Sequence, residues 1–584
     1  MNAERLLAHY ERIADAPDAI ARLRRFILDL VVRGKLVQQD ANDEPASDLL
    51  KRIAKERAER ISRGEMRREK QSADPVDFPF EPPTGWVWLR LGETGNISSG
   101  NSINEPTREQ LSRVKNGRPF IATKDVGYGL DRIVYDNGLL VEFSDERFRI
   151  TQKNSVLICA EGGSAGKKIG LADREICFGN KLLANETWSV IAPKFVLFVY
   201  MSEFFYQQFA SKMKGVIGGI SIANFLELPF PLPPLVEQHR IVAKVDELMG
   251  LCDRLEAARE RREAVRDRLA AASLARFNAP DPETFHADAR FALAALPALT
   301  TRPDQIKRLR QTILNLAVRG KLVLQDANDE PASELLKRIA RTKLELLRKK
   351  KLKGNIPITN SISIRESIEP PGTWQWASCD ELFFVTKLAG FEYTKHFDLK
   401  NEGEVPVIRA QNVRPWTVEE NNLKFMSLKT SLVLERSAIT KPAILITFIG
   451  AGIGDVALID TKRRWHLAPN VAKAELFEGC DSLVNLKYVV MFFNSPVGRA
   501  EIFKHIKTTA QPSLSMGTIR DMDVVMPPLA EQHRIVAKVD ALMALCDRLE
   551  ESLTATAATR RRLLDALLAE ALAPVDTREL ETAE

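Results

Sequence analysis

Two passages of this sequence each occur twice, in the same order, and that repetition limits the fold more than any other feature. Arg22 to Ala54 reads RLRRFILDLVVRGKLVQQDANDEPASDLLKRIA, and Arg308 to Ala340 reads RLRQTILNLAVRGKLVLQDANDEPASELLKRIA. Pro233 to Glu256 (PPLVEQHRIVAKVDELMGLCDRLE) returns as Pro527 to Glu550 (PPLAEQHRIVAKVDALMALCDRLE). Two ordered pairs of this length define a duplicated unit. Between them the copies diverge but keep a frame: PPTGWVW (Pro82 to Trp88) answers PPGTWQW (Pro370 to Trp376), and VLICAEGGSAG (Val156 to Gly166) answers ILITFIGAGIG (Ile444 to Gly454). RPFIATKDV (Arg118 to Val126) likewise answers VPVIRAQNV (Val405 to Val413). The offset grows only from about 286 to about 294 residues, so the insertions are short. Near-identical ends around divergent middles suggest shared partners at the ends and different ligands in the middles.

The ends read as helices. After Pro233-Pro234, a break that suits a helix start, Ile241, Val245, Leu248, Cys252 and Leu255 step by four and three, the spacing of a coiled-coil seam. Ile535, Val539, Leu542, Cys546, Leu549 and Leu553 repeat it. These two helices are expected to run roughly 35–40 residues, about 50–60 Å, and to present the seam to partners. Glu237 and Glu531 stand in the first turn, where negative charge suits the helix dipole. The apolar faces Phe26, Ile27, Leu30, Val31 and Ile313, Leu314, Leu316, Ala317 lead to Gly34 and Gly320, placed to end a helix before the turn DANDEPAS. The middles alternate short β-branched runs with Gly and Asn clusters, as mixed α/β modules do, and each ends in apolar helical stretches. The segment from about Asn278 to Pro303, rich in Pro, Ala and Asp, is the expected joint, and a polar tail follows Val575. The expected organisation is therefore 1–78 helical, 79–233 first middle, 234–365 central helical with the joint at about 276–303, 366–527 second middle, and 528–584 helix and tail.

Composition excludes several classes. Among 584 residues no apolar run approaches the roughly 20 needed to span a bilayer, and the first residues lack the apolar core of a signal peptide. Six scattered cysteines without a CxxC pair point away from structural zinc and disulfides and toward a reducing cytoplasm. A net charge of +6 permits nucleic-acid binding without demanding it.

Individual motifs reduce to framework or to contact surface. Gly162, Gly163 and Gly166 before Lys167 imitate a phosphate loop, but Glu161 replaces its first glycine and Lys168 its Ser or Thr. Gly450, Gly452 and Gly454 fall at the equivalent place, so one shared turn explains both, with Lys167 counted as a backbone-contact candidate. His239 and His533 lack metal-ligand partners at suitable spacing and read as packing or subunit contacts. No base-holding methyltransferase tetrad, Walker A loop or nuclease pattern is present. Basic runs occur at Lys51 to Lys70 and Lys337 to Gly354, including Lys349, Lys350 and Lys351, as phosphate contacts or solvated helix faces. Arg and Lys pair with guanine, Asn and Gln with adenine, in the major groove. Arg409, Gln411, Asn412 and Arg414 form such a cluster after a strand; Lys124 and Asp125 are counterparts, and Asn180 and Lys181 answer Asn470 in a second matched loop.

A Trp-led opening, a variable stretch, then PLPPLVEQHRIVAKVDELM and a coiled coil, all done twice, resembles the specificity subunit of Type I restriction-modification systems. The resemblance spans nearly the whole chain. It implies an α/β (α+β) fold with two mixed α/β target-recognition domains joined by long antiparallel coiled-coil helices, with pseudo-twofold repetition. It implies that each middle reads one half of an asymmetric site on double-stranded DNA, and that the helices set the gap. It further implies two DNA adenine methyltransferase subunits on the helices, restriction (endonuclease-translocase) subunits through them, S-adenosylmethionine, ATP and Mg on those partners, and no cofactor, metal or catalysis here. This chain adds a helical extension of about residues 1 to 75 that copies the central block, expected to meet the C-terminal helices. A coiled-coil scaffold that does not touch DNA, or a self-contained methyltransferase or ATPase, are the rival readings.

Overall fold

The computed structural model describes residues 15–64, 78–215, 218–278, 284, 287, 290–291, 294, 300–349, 369–396, 399–450, 452–504, 506 and 513–572. Most of the expected joint, the first residues of the extension, the tail, and Lys350 and Lys351 lie outside them. The chain forms two compact units, one taking residues up to Glu263 and again from Ala557, the other Ala264–Thr556. The central helical stretch is not a body of its own, because the unit boundary falls inside one helix.

In the first unit, α1 (Ala19–Val32) and α2 (Ala46–Ser62) precede the middle, and the start of α3 (Leu235–Asn278) follows it. In the second, α4 (Pro303–Val318) and α5 (Ala332–Arg348) stand before the middle and α6 (Leu529–Leu572) after it. One face of α1 places Ile27, Leu28, Val31 and Val32 in the core of the unit. Its other face packs Ala19, Phe26 and Leu30 on Leu564, Leu567 and Leu568, the end of α6. The N-terminal extension and C-terminal helix thus meet within the first unit, with Arg22 paired to Asp565. Gly34 (φ +62) and Gly320 (φ +68) end α1 and α4. A Cβ there would stand 2.5 Å from a carbon of Pro83 or Pro371, so glycine is required twice by both backbone and neighbour.

Each middle is built alike. Val87–Arg90, its first strand, pairs antiparallel with Pro229–Leu232, its last, and Gln375–Ser378 does so with Asp523–Met526. An antiparallel sheet runs Gly95–Ser99, Leu182–Thr187, Val156–Cys159, Ile169–Leu171, matched by Phe383–Lys387, Val471–Leu476, Ala443–Thr447, Val456–Ile459. A further sheet runs Leu140–Val141, Arg118–Ile121, Ile176–Phe178, Ile150–Thr151, matched by Lys424–Met426, Val405–Ile408, Trp465–Leu467, Ala438–Ile439, its two central strands parallel. The apolar stretches that follow are helix pairs, Pro193–Met201 with Glu203–Lys212 and Leu486–Asn494 with Pro496–Lys504. Ser202 and Ser495 divide them, each hydroxyl accepting an amide of the next helix.

The long helices correct two expectations. Each spans 44 residues rather than 35–40, running to within two residues of Pro280 and Pro574, the first prolines beyond. Their apolar seam is already filled. Ile241 and Val245 are buried in the core that holds Leu49, Trp86 and Phe195, and Ile535 and Val539 in that of Leu335, Trp374 and Tyr488. Leu248, Leu542 and Leu549 pack partly against the same cores, and only Leu255 is exposed. A four-three spacing specifies a buried stripe, not what covers it; here the chain's own helices and middles do.

Candidate nucleic-acid interface

The repeated EQHR fixes each middle to its helix. The Trp86 indole N–H donates to Glu237 Oε2 at 3.0 Å, and that of Trp374 to Glu531 Oε2 at 2.9 Å, both buried. Burial pushes both carboxyls above the usual range, against the opposing indole bond. The other oxygen of each carboxylate has no hydrogen-bond partner. Gln238 accepts the Ala192 amide and donates to the Pro233 carbonyl, as Gln532 does with Asn485 and Pro527. Arg240 pairs with Asp43 at 2.6 Å, and Arg534 with Asp329 at 2.7 Å, tying the motif to DANDEPAS. His239 and His533 are the exposed residues of the motif, and Arg240 and Arg534 are part-exposed. The two segments that the duplication repeats are thus held to each other inside each unit.

The glycine loops are one turn used twice. Gly166 (φ +70) donates to the Cys159 carbonyl, and Gly454 (φ +80) to that of Thr447. A Cβ on either would lie 2.7 Å from Phe209 or 2.9 Å from Ile502.

Parallel pairing of Arg118–Ile121 with Ile176–Phe178 sends both following loops out at one end of the sheet. The Lys168 ammonium donates to the carbonyls of Thr123 and Lys124 at 3.1 and 3.3 Å, bringing the glycine turn to the same end. Lys124, Lys167, Asn180 and Lys181 are exposed there, Lys167 over the Tyr206 ring at 5.7 Å. The second unit gathers Gln411, Arg414 and Asn470 at the equivalent end, through parallel Val405–Ile408 and Trp465–Leu467. The frames match bond for bond. Gly179 donates to Ile121 as Ala468 does to Ile408, and Ala160 to Lys181 as Phe448 to Asn470. Lys181 therefore stands where Asn470 stands.

Three expected contact residues are instead structural. The buried Asp125 carboxylate accepts the Ala122 amide and the Asn137 side chain, both at 2.8 Å. Buried Asn412 accepts the Arg409 amide at 3.2 Å and donates to the carbonyls of Glu419 and Asn421. The Arg409 guanidinium donates to the Asn422 carbonyl. Polar composition selected them, but short polar side chains in loops often serve their own backbone. Arg414 remains half-exposed beside Glu419. Sequence reasoning passed over two exposed aromatics next to these loops, Tyr128 and Trp416, because nothing local marks an aromatic as exposed. Among the described residues no group of three or more His, Cys, Asp or Glu could hold a metal ion, and no helix is long and apolar enough to cross a membrane.

These features define a class: two copies of a mixed α/β domain, each locked to a long helix, each presenting a loop cluster at one sheet end. The family model for the Type I restriction modification DNA specificity domain matches residues 83–264 and 371–557. The chain belongs to that family, the specificity subunits of Type I restriction-modification systems. It is 29% identical to the Escherichia coli Type I restriction enzyme EcoEI specificity subunit, over 95% of this chain and 94% of that one. It is 28% identical to the EcoAI specificity subunit of the same organism, over 94% and 93%. Among solved structures it is similar to the HsdS subunit from Thermoanaerobacter tengcongensis, with 17% identity, a TM-score of 0.41, and coverage of 85% and 98%.

Proposed function

We propose that each middle reads one half of an asymmetric two-part site on double-stranded DNA through its loop cluster. The observation that carries this is the matched frame with unlike exposed side chains: Lys124 against Gln411, and Lys181 against Asn470. Lysine suits guanine or phosphate, whereas Gln and Asn suit adenine, so two copies of one scaffold present different chemistry. Phosphate contacts from Lys167 and the half-exposed Arg414 position the loops. The 44-residue helices act as the spacer, about 66 Å long at 1.5 Å per residue, ample for half-sites about 34 Å apart.

Two DNA adenine methyltransferase subunits dock on the repeated helical ends, and restriction subunits join through them. Their contacts are drawn from what the intramolecular lock leaves exposed in both copies, including His239 with His533 and Leu251 with Leu545. S-adenosylmethionine, ATP and Mg belong to those partners. The chain itself recognises without catalysing, in the cytoplasm where its DNA lies. Selection of bound duplexes from a random pool, using the assembled complex, tests this. Enrichment of a two-part motif with an unread gap is expected; assembly without enrichment would favour a protein scaffold.

A further inference from the structure

Trp416 occupies a backbone position that disfavours it. Arg414–Thr417 is a tight turn closed in both directions, Arg414 N to Thr417 O at 3.0 Å and Thr417 N to Arg414 O at 3.2 Å. Pro415 is its second residue, and Trp416 its third, with φ +78. That position is normally glycine, and a bulky side chain at positive φ is an outlier that structures retain mainly where function uses it. The first domain does place glycine there. Gly129 (φ +104) donates its N–H to the Ile169 carbonyl at 2.9 Å, as Trp416 does to Val456 at 3.0 Å. One frame thus carries the unstrained residue in one copy and an indole in the other.

The indole is also out of place by burial. Trp416 is the only exposed tryptophan of seven, at 39%. Trp86, Trp88, Trp188, Trp374 and Trp465 all donate their ring N–H within the protein. Trp416 and the part-buried Trp376 show no such bond among the described residues, and of these two only Trp416 is exposed. Trp416 lines an open groove with Glu420, Asp460, Lys462, Arg463 and Trp465, in which Arg463 pairs with Glu420, and Pro415 alone separates it from the Gln411–Arg414 loop. We propose that Trp416 stacks on a nucleobase at a locally opened step of the bound duplex, beside the side chains that read the second half-site. Aromatic rings suit this because every base offers a π-face, and wedge side chains open base steps in bent complexes. The proposal rests on the DNA-reading function above.

The test uses the full chain in its assembled complex and a duplex carrying the selected site, with a fluorescent adenine analogue in the second half-site. The analogue is the base across the opened step from the one that meets the indole, and it loses its stacking neighbour when the step opens. Wild type should raise the analogue's fluorescence on binding. Trp416→Gly should abolish that rise and weaken binding about tenfold. It should melt no lower than wild type, because glycine suits the turn. Trp416→Asn, also at ease at positive φ, gives an independent second variant. A wild-type complex that selects no two-part site would sink the function and this proposal together. Wild-type selectivity matched by both variants, with the fluorescence rise intact, overturns the stacking role alone. Loss of partner subunits with DNA contact unchanged would assign the indole to protein docking and overturn it as well.

Discussion

The two recognition domains share their hydrogen-bond frame yet fill it with different chemistry. Leu157 pairs with Ala184 in the first, and its equivalent Leu445 pairs with Lys473 in the second. The buried Lys473 ammonium donates to Glu475 at 2.7 Å and to the Ala438 carbonyl. Beside Phe120 stands Cys177, whose thiol burial pushes up to about 11. Beside the equivalent Val407 stands His466, whose imidazole burial pushes down. Backbone pairing and a few glycines and caps are therefore what the duplication retained, while core polarity and loop side chains were free to change. A fold specified this way can present unlike surfaces from one scaffold.

The sharpest way to break this comparison is to unpair the charge that only the second domain buries. Lys473→Met should cost about 3–5 kcal/mol, because Glu475 is left without its partner in the core. Replacing both by apolar residues of similar volume should cost much less, read by chemical denaturation. Equal losses for the single and double variants would show that the pair is not a local adaptation.

The lock common to both domains should respond alike in each. Glu237→Ala or Glu531→Ala should cost about 1–3 kcal/mol, the penalty of an unmet buried indole N–H. Glu237→Gln should retain the bond. Burial raises both carboxyls above the ordinary glutamate value in the folded state. The native state then holds the proton more firmly, so this contribution is fully present below the unfolded value and is lost as pH rises through the folded one. Thermal melts of wild type across that window should fall with rising pH, and the double Gln variant should flatten the dependence.

Similar or smaller effects are expected from the ion pairs and turns. Arg240→Ala and Arg534→Ala, each of which leaves a nearly buried carboxylate (Asp43 or Asp329) without its ion-pair partner, should cost about 1–3 kcal/mol. Gly166→Ala and Gly454→Ala should each cost more than about 1 kcal/mol, since both combine positive φ with a close neighbour. Gly163→Ala, with open space around its Cβ, should be nearly silent in the same denaturation series.

Much of the architecture was legible. The duplication, the helix ends at Gly34 and Gly320, and the shared glycine turn all follow from local chemistry that has one structural solution. The destination of the Ile241 and Ile535 seams was not legible, because periodicity reports burial without naming the cover. Asp125 and Asn412 misled because cap and base reader have the same composition; only the hydrogen bonds of Asn137, Glu419 and Asn421 separate them. Trp416 escaped because its strain is a dihedral, which no residue pattern displays.

The claim that one frame supports two independent readers is tested most directly by exchange. Residues 80–232 are replaced by the first recognition region of another family member, and the bound motif is selected again from random duplexes. One half of the motif should change while the other half and the intervening gap stay as they were. A change in both halves, or in neither, would contradict the account.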